Sequence, residues 1–218
     1  MRTTLLLMVA LLFAVSGFAD TFYDNFTGYN QGWYPFGNPN TATYGETFSV
    51  PTNDDLSLES IGFYMGGPQV DGDIVLSAYI ATWTGTNAGN LLFSSAWVDY
   101  PADYPNTGDA ELTFDTSALY RLAPGEELVA FLSVSQYYGQ SVGESYISVG
   151  TPTIPGGNFV FCNNGGDFAE LFNSPWSDTG AKPDWAFTAD FTTPEPGTVM
   201  LLGAGLLGLV GLRRKLSF

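Results

Sequence analysis

Apolar residues recur at every second position in segment after segment of this 218-residue chain, and turns bearing glycine or proline separate the segments. Residues two apart share one face of a β-strand, so this alternation suits strands with a buried face and not a helix of period 3.6. In "DIVLSAYIATW", Ile74, Leu76, Ala78 and Ile80 fall on one face. "DWAFTADF" sets Trp185, Phe187, Ala189 and Phe191 against Ala186, Thr188 and Asp190. "ELVAFLSV" alternates Leu128, Ala130, Leu132 and Val134 with Val129, Phe131 and Ser133, which predicts a strand covered on both faces. Further strands are expected over residues 47–50, 60–65, 91–98, 111–114, 146–149 and 158–162. Turn chemistry at Asp71-Gly72, Thr84-Gly85, Ala123-Pro124-Gly125, Pro155-Gly156-Gly157 and Asn164-Gly165-Gly166 divides them. No long amphipathic helix competes. The pattern predicts an all-β domain over residues 20–192: a two-sheet antiparallel sandwich, jelly-roll-like in its connections.

Composition narrows the chemistry. Aromatics are 16% of the chain and charged residues 13%, which favours a packed core over disorder. Of six basic residues, Arg2, Arg213, Arg214 and Lys215 lie at the extreme ends. From Asp20 to Glu195 only Arg121 and Lys182 face all 22 acidic residues, a net charge of -20. That surface repels phosphate backbones, so nucleic acid is excluded as a partner, and anionic headgroups are poor partners for the same reason. There is no histidine and one cysteine, Cys162. An intramolecular disulfide, a Cys/His zinc site and Ser-His-Asp or Cys-His catalysis are therefore excluded.

Both ends read as addresses. "MRTTLLLMVALLFAVSGFAD" carries Arg2, a continuous apolar core and the small-x-small pattern Gly17-Phe18-Ala19. This predicts a signal peptide over residues 1–19, cleaved between Ala19 and Asp20, against the alternative of a retained membrane helix. At the other end, residues 198–212 are uncharged and precede Arg213-Arg214-Lys215. At about 1.5 Å per residue the run reaches roughly 22 Å, a marginal transmembrane helix with its basic end cytoplasmic. Pro194-Glu195-Pro196, the Gly-rich apolar run and the basic triplet, in that order over residues 193–218, resemble the PEP-CTERM sorting signal of Gram-negative bacteria. The resemblance implies export across the inner membrane, with the secretion machinery and the membrane enzyme exosortase as partners. It also implies transient anchoring in the inner membrane, then a place at the cell surface or in an extracellular polysaccharide matrix. The pieces "ETFSVP", "LESIGFYM", "LAPGEELVAFLS", "GGNFVFCNNGGDF" and "DWAFTADF" likewise resemble β-sandwich domains of PEP-CTERM proteins, which supply no catalytic residues to carry over.

Several constellations compete for function. Trp33 and Tyr34 in "QGWYPFGNP", Tyr137 and Tyr138 in "SQYYGQS" and Trp176 in "NSPWSD" sit in apparent loops, where aromatic faces stack on sugar rings. Packing is the alternative for each. Asp71 and Asp73 are weak candidates for a structural calcium, the one cofactor in view, with solvated turns as the alternative. Asp109, Glu111, Thr113 and Asp115 share a strand face, but Thr113 interrupts the acid spacing that a jelly-roll glycosidase would use. Cys162, in "FVFCNN", is expected to be a small buried apolar residue. The expectation is a non-enzymatic envelope or matrix protein that binds or organises exopolysaccharide. A purely structural surface protein, or a carboxylate-dependent glycosidase, is the alternative.

Overall fold

A computed structural model describes residues 20–28, 35–52, 56–70, 72–100, 110–178 and 184–192. The expected signal peptide, Trp33, Tyr34, Asp71, Asp109, the Pro194-Glu195-Pro196 motif, the apolar run and the basic triplet lie outside these residues. Among the described residues no helix is long and apolar enough to cross a membrane.

The described chain is all-β, in two antiparallel sheets. Its strands are β1 (Thr21–Asp24), β2 (Phe36–Gly37), β3 (Thr43–Ser49), β4 (Leu56–Val70), β5 (Ile74–Trp83), β6 (Ala88–Ser94), β7 (Val98–Tyr100), β8 (Ala110–Leu122), β9 (Glu127–Ser133), β10 (Glu144–Ile147), β11 (Asn158–Cys162), β12 (Ser177–Asp178) and β13 (Phe187–Thr192). The first sheet runs β1-β13-β4-β10-β2, with β8 also on β4. The second runs β12-β11-β3-β9-β5-β6, with β7 also on β5. Neighbours are mostly distant in sequence, so the chain crosses repeatedly between sheets.

Alternation decides which residues meet between them. Ile74, Leu76, Ala78 and Ile80 enter the main core together with Leu128, Ala130, Leu132 and Val134 of the β9 segment. Trp185, Phe187, Ala189 and Phe191 meet them from the first sheet. Aromatic edges and faces fill the middle: Phe63 lies 4.6 Å from Trp185, and Phe48 lies 5.5 Å from Phe187. Burial of a side chain of this size stabilises by roughly 1.5–3 kcal/mol, and these rings are wholly buried.

Strand β9 is covered on both faces, as its continuous apolar run predicts. Its other face supports a second, smaller cluster: Tyr79, Ala81, Val129, Phe131, Val160, Cys162, Leu171 and Trp176. The cover is residues 163–176, which include the one-turn helix α1 (Glu170–Asn173). Asn164 anchors this segment: its Nδ2 donates to the Asp167 carbonyl at 2.8 Å and to Ser135 Oγ at 2.6 Å. Cys162 is buried and unbridged, as expected of a small apolar residue.

Strand limits differ from the sequence pattern where packing overrides it. The single strand expected over residues 91–98 divides into β6 and β7, and Ser95 Oγ accepts the Ala78 N–H at 2.9 Å between them. Strand β8 outruns its expected four residues because it pairs along β4 from Leu122 back to Ala110. The turns hold: Gly125, at φ 76°, takes the left-handed conformation that glycine adopts without steric cost. Strands β1 and β13 pair from Thr21↔Phe191 to Asp24↔Thr188, so the two ends of the domain leave from one sheet edge.

Candidate functional site

The cover on the second sheet leaves a cleft at the end of β5. Trp83, the last residue of β5, is half-buried there. The turn to β6 is closed by the Thr84 N–H donating to the Asn87 carbonyl at 3.1 Å and by Thr84 Oγ1 donating to Asn87 Oδ1 at 2.8 Å. Asn87 Nδ2 also donates to the Phe172 carbonyl at 2.8 Å, and the Trp176 N–H to the Thr86 carbonyl at 2.7 Å. These bonds lock turn and cover together.

The result is a cleft of about 190 Å³ lined by Trp83, Trp176, Thr47, Thr86, Asn158 and Asp178, among others. It is smaller than the roughly 300–1,000 Å³ of pockets for drug-sized ligands, which suits one small ring. Trp83 and Trp176 meet edge to face at 5.8 Å. Among the described residues Asp178 is the only charged one lining the cleft, and hydroxyl groups find there a carboxylate and an amide to donate to. A larger groove of about 500 Å³ lies at the sheet edge beside Tyr23, Ser49 and Glu127. Its aromatic is already engaged: the Tyr23 hydroxyl donates to the Ser49 carbonyl at 3.1 Å, and the ring packs on Phe191 at 5.4 Å.

The aromatics expected in loops have separate fates. Trp176 is corrected from exposed platform to buried wall. Only 8% of it is exposed, its ring meets Phe131 at 5.3 Å, and its indole N–H is spent on the Leu171 carbonyl at 2.8 Å. Tyr137 and Tyr138 follow the other end of β9. The Tyr137 hydroxyl lies 3.4 Å from Ser77 Oγ near the start of β5, six residues, or roughly 20 Å, from Trp83. Tyr138 packs partly on the main core, and its carbonyl accepts from Asn38 Nδ2 at 2.7 Å. The structure therefore does not bring the tyrosines to the tryptophan cleft. Trp83 is the residue that sequence pattern hides, because it closes a strand that otherwise reads as core.

Among the described residues no group of three or more His, Cys, Asp or Glu side chains could hold a metal ion. Asp73 is exposed, and its carbonyl accepts the Val142 and Gly143 N–H groups at 2.9 and 3.2 Å. Glu111, Thr113 and Asp115 do share the exposed face of β8. Glu111 Oε1 accepts from Thr188 Oγ1 at 2.9 Å across the side-chain-free Gly62. Four residues of strand put Glu111 and Asp115 about 13 Å apart, wider than the roughly 5–9.5 Å between paired glycosidase carboxyls. Burial pushes the Cys162 thiol up to about 11, with the Glu170 charge adding to the shift, so the thiolate is suppressed.

Comparison with known proteins identifies the tail. Residues 192–215 match a PEP-CTERM protein-sorting motif, which implies export, transient membrane anchoring and sorting by exosortase. No curated protein matches the chain. A solved structure of the cysteine protease and lectin-like domains of Cwp84, a surface layer associated protein of Clostridium difficile, is similar at 12% identity and a TM-score of 0.45, over 80% of this chain and 36% of that one.

Proposed function

We propose that this PEP-CTERM-bearing chain is a non-enzymatic surface or matrix protein of a Gram-negative bacterium, and that its sandwich binds exopolysaccharide through the Trp83 cleft. The observation that carries the reading is the cleft itself: a half-buried indole on a hydrogen-bonded turn, faced by Asn158, Thr86 and Asp178. Indole faces stack on the apolar faces of sugar rings, while amide and carboxylate oxygens accept hydrogen bonds from hydroxyls. The turn is built before any ligand arrives, so little ordering entropy opposes binding. The sorting motif adds the setting, a chain delivered outside the cell where such polymers accumulate. Weak single sites gain avidity when many copies line one surface.

The test is affinity electrophoresis of the full chain, in mild detergent, through gels containing the producer's own exopolysaccharide. Wild type is expected to be retarded, Trp83→Ala to lose at least about tenfold in apparent affinity, and Asp178→Asn to lose less, as for a single hydrogen bond of about 1–1.5 kcal/mol. Tyr138→Ala is expected to bind as wild type does. A wild-type chain that migrates freely would refute the binding role and leave a purely structural surface protein.

A further inference from the structure

The outer face of the second sheet continues past the cleft. Odd-numbered residues of β5 line it: Tyr79 and Ala81 enter the smaller cluster, Trp83 packs on that cluster, and Ser77 Oγ lies 3.4 Å from the Tyr137 hydroxyl. Residues opposite one another on neighbouring strands share a face. Strand β6 sets Leu91 opposite Ala81 and Ser94 opposite Tyr79. Val98 pairs with Leu76 and packs on the main core, so alternation turns Trp97, one residue earlier, to the outer face opposite Ser77. Ser94 is exposed, Leu91 is 46% exposed and Trp97 is 60% exposed. Only Phe22 and Val142 join Leu91 and Trp97 as large apolar side chains left in water among the described residues, so half of that exposed apolar set lies on this strip.

Residues 74–98 carry no charge, in a domain of net charge -20. Recognition along this strip therefore falls to stacking and hydrogen bonding and not to ion pairing. The strip has an indole at each end, Trp83 in the cleft and Trp97 beyond Ser94. Ser77, beside Trp97, stands six residues, or roughly 20 Å, from Trp83 along β5. That span is several sugar rings, more than the cleft of about 190 Å³ holds. We propose that one polysaccharide chain, held by a ring in the Trp83 cleft, runs along β6 over Leu91 and Ser94 to a second stacking platform at Trp97, where the half-buried Tyr137 offers its hydroxyl. The track rests on the cleft as a sugar site and adds the class of ligand: a long polymer engaged along its length, not a short oligosaccharide or a chain end. Two weak platforms on one sheet meet the same polymer at high effective concentration, so each reinforces the other. A second copy of this chain suits the strip less well, because repulsion between two strongly acidic domains opposes its approach.

The full chain, in mild detergent, is run through gels of the producer's own exopolysaccharide with fragments of that polymer as competitors. One set is mono- and disaccharide, the other longer than the track. Affinities are compared per sugar ring, so that length alone gives no gain. Wild type is expected to favour the long set by at least about tenfold, and Trp97→Ala to lose most of that ratio. Trp97 is largely in water, so its removal should move Tm no further than ordinary surface substitutions do. Trp83→Ala is expected to weaken binding of both sets. A wild type that binds both sets alike, or a Trp97→Ala chain that keeps the ratio, overturns the track and leaves the cleft standing. A Trp97→Ala chain that keeps the ratio but shows a lower assembly mass in light scattering assigns the indole to contact between copies, and overturns the track as well. If wild type is held by neither set nor by the gel, cleft and track fall together.

Discussion

Trp176→Ala should unfold what a surface substitution would leave intact, and its cost can be worked from the structure. The indole is 8% exposed, touches Trp83 at 5.8 Å and Phe131 at 5.3 Å, and belongs to the cluster beneath α1. Truncating a buried tryptophan to alanine costs about 3–5 kcal/mol. Loss of the bond from its N–H to the Leu171 carbonyl accounts for about 1 kcal/mol of this. Trp176→Phe keeps most of the ring and loses that bond, so about 1–2 kcal/mol is expected. Trp83→Ala removes a half-buried ring and should cost about 1–2 kcal/mol. The assay is urea unfolding of the full chain followed by far-ultraviolet circular dichroism, with free energies taken from midpoint and slope. A Trp176→Ala chain within about 0.5 kcal/mol of wild type, the range of ordinary surface substitutions, would refute the buried wall. It would return Trp176 to the exposed loops.

Three further outcomes are expected. Stability should rise as pH falls from 7 toward 5: burial raises the Asp184 carboxyl to about 6 and holds the Glu46 carboxyl well above its usual range, so the folded chain binds more protons than the unfolded one there. Glu46→Gln combined with Asp184→Asn should flatten that slope in thermal melts, and an unchanged slope in the double variant would assign it to surface repulsion. Cys162 should resist iodoacetamide at pH 8 until the chain is unfolded, because burial holds its thiol near 11; rapid labelling of the folded chain would contradict that. Intact mass of the native protein should show a start near Asp20 and loss of the tail near Pro194–Pro196, and retention of Arg213 to Phe218 would argue for a permanent anchor.

The all-β class, the turns and the sorting tail are determined by the sequence itself, because each rests on local order. Period-two spacing puts Ile74, Leu76, Ala78 and Ile80 on one face whatever packs against them, and left-handed turns need glycine where Gly125 stands. The tail is read from Pro194-Glu195-Pro196 to Lys215 without any fold. Tertiary structure decides the rest, because burial depends on segments that sequence spacing does not link. Trp176 and Trp83 look alike as residues, yet residues 163–176 fold over the sheet and bury the first while leaving the second half-open. Alternation through Tyr44, Glu46 and Phe48 would have turned Glu46 inward, had the strand not been expected to begin at Thr47. Even then its neighbour would have stayed hidden. Asp184 comes near it from 138 positions away only because the approach to β13 carries Trp185 under β3, where the Trp185 N–H donates to Glu46.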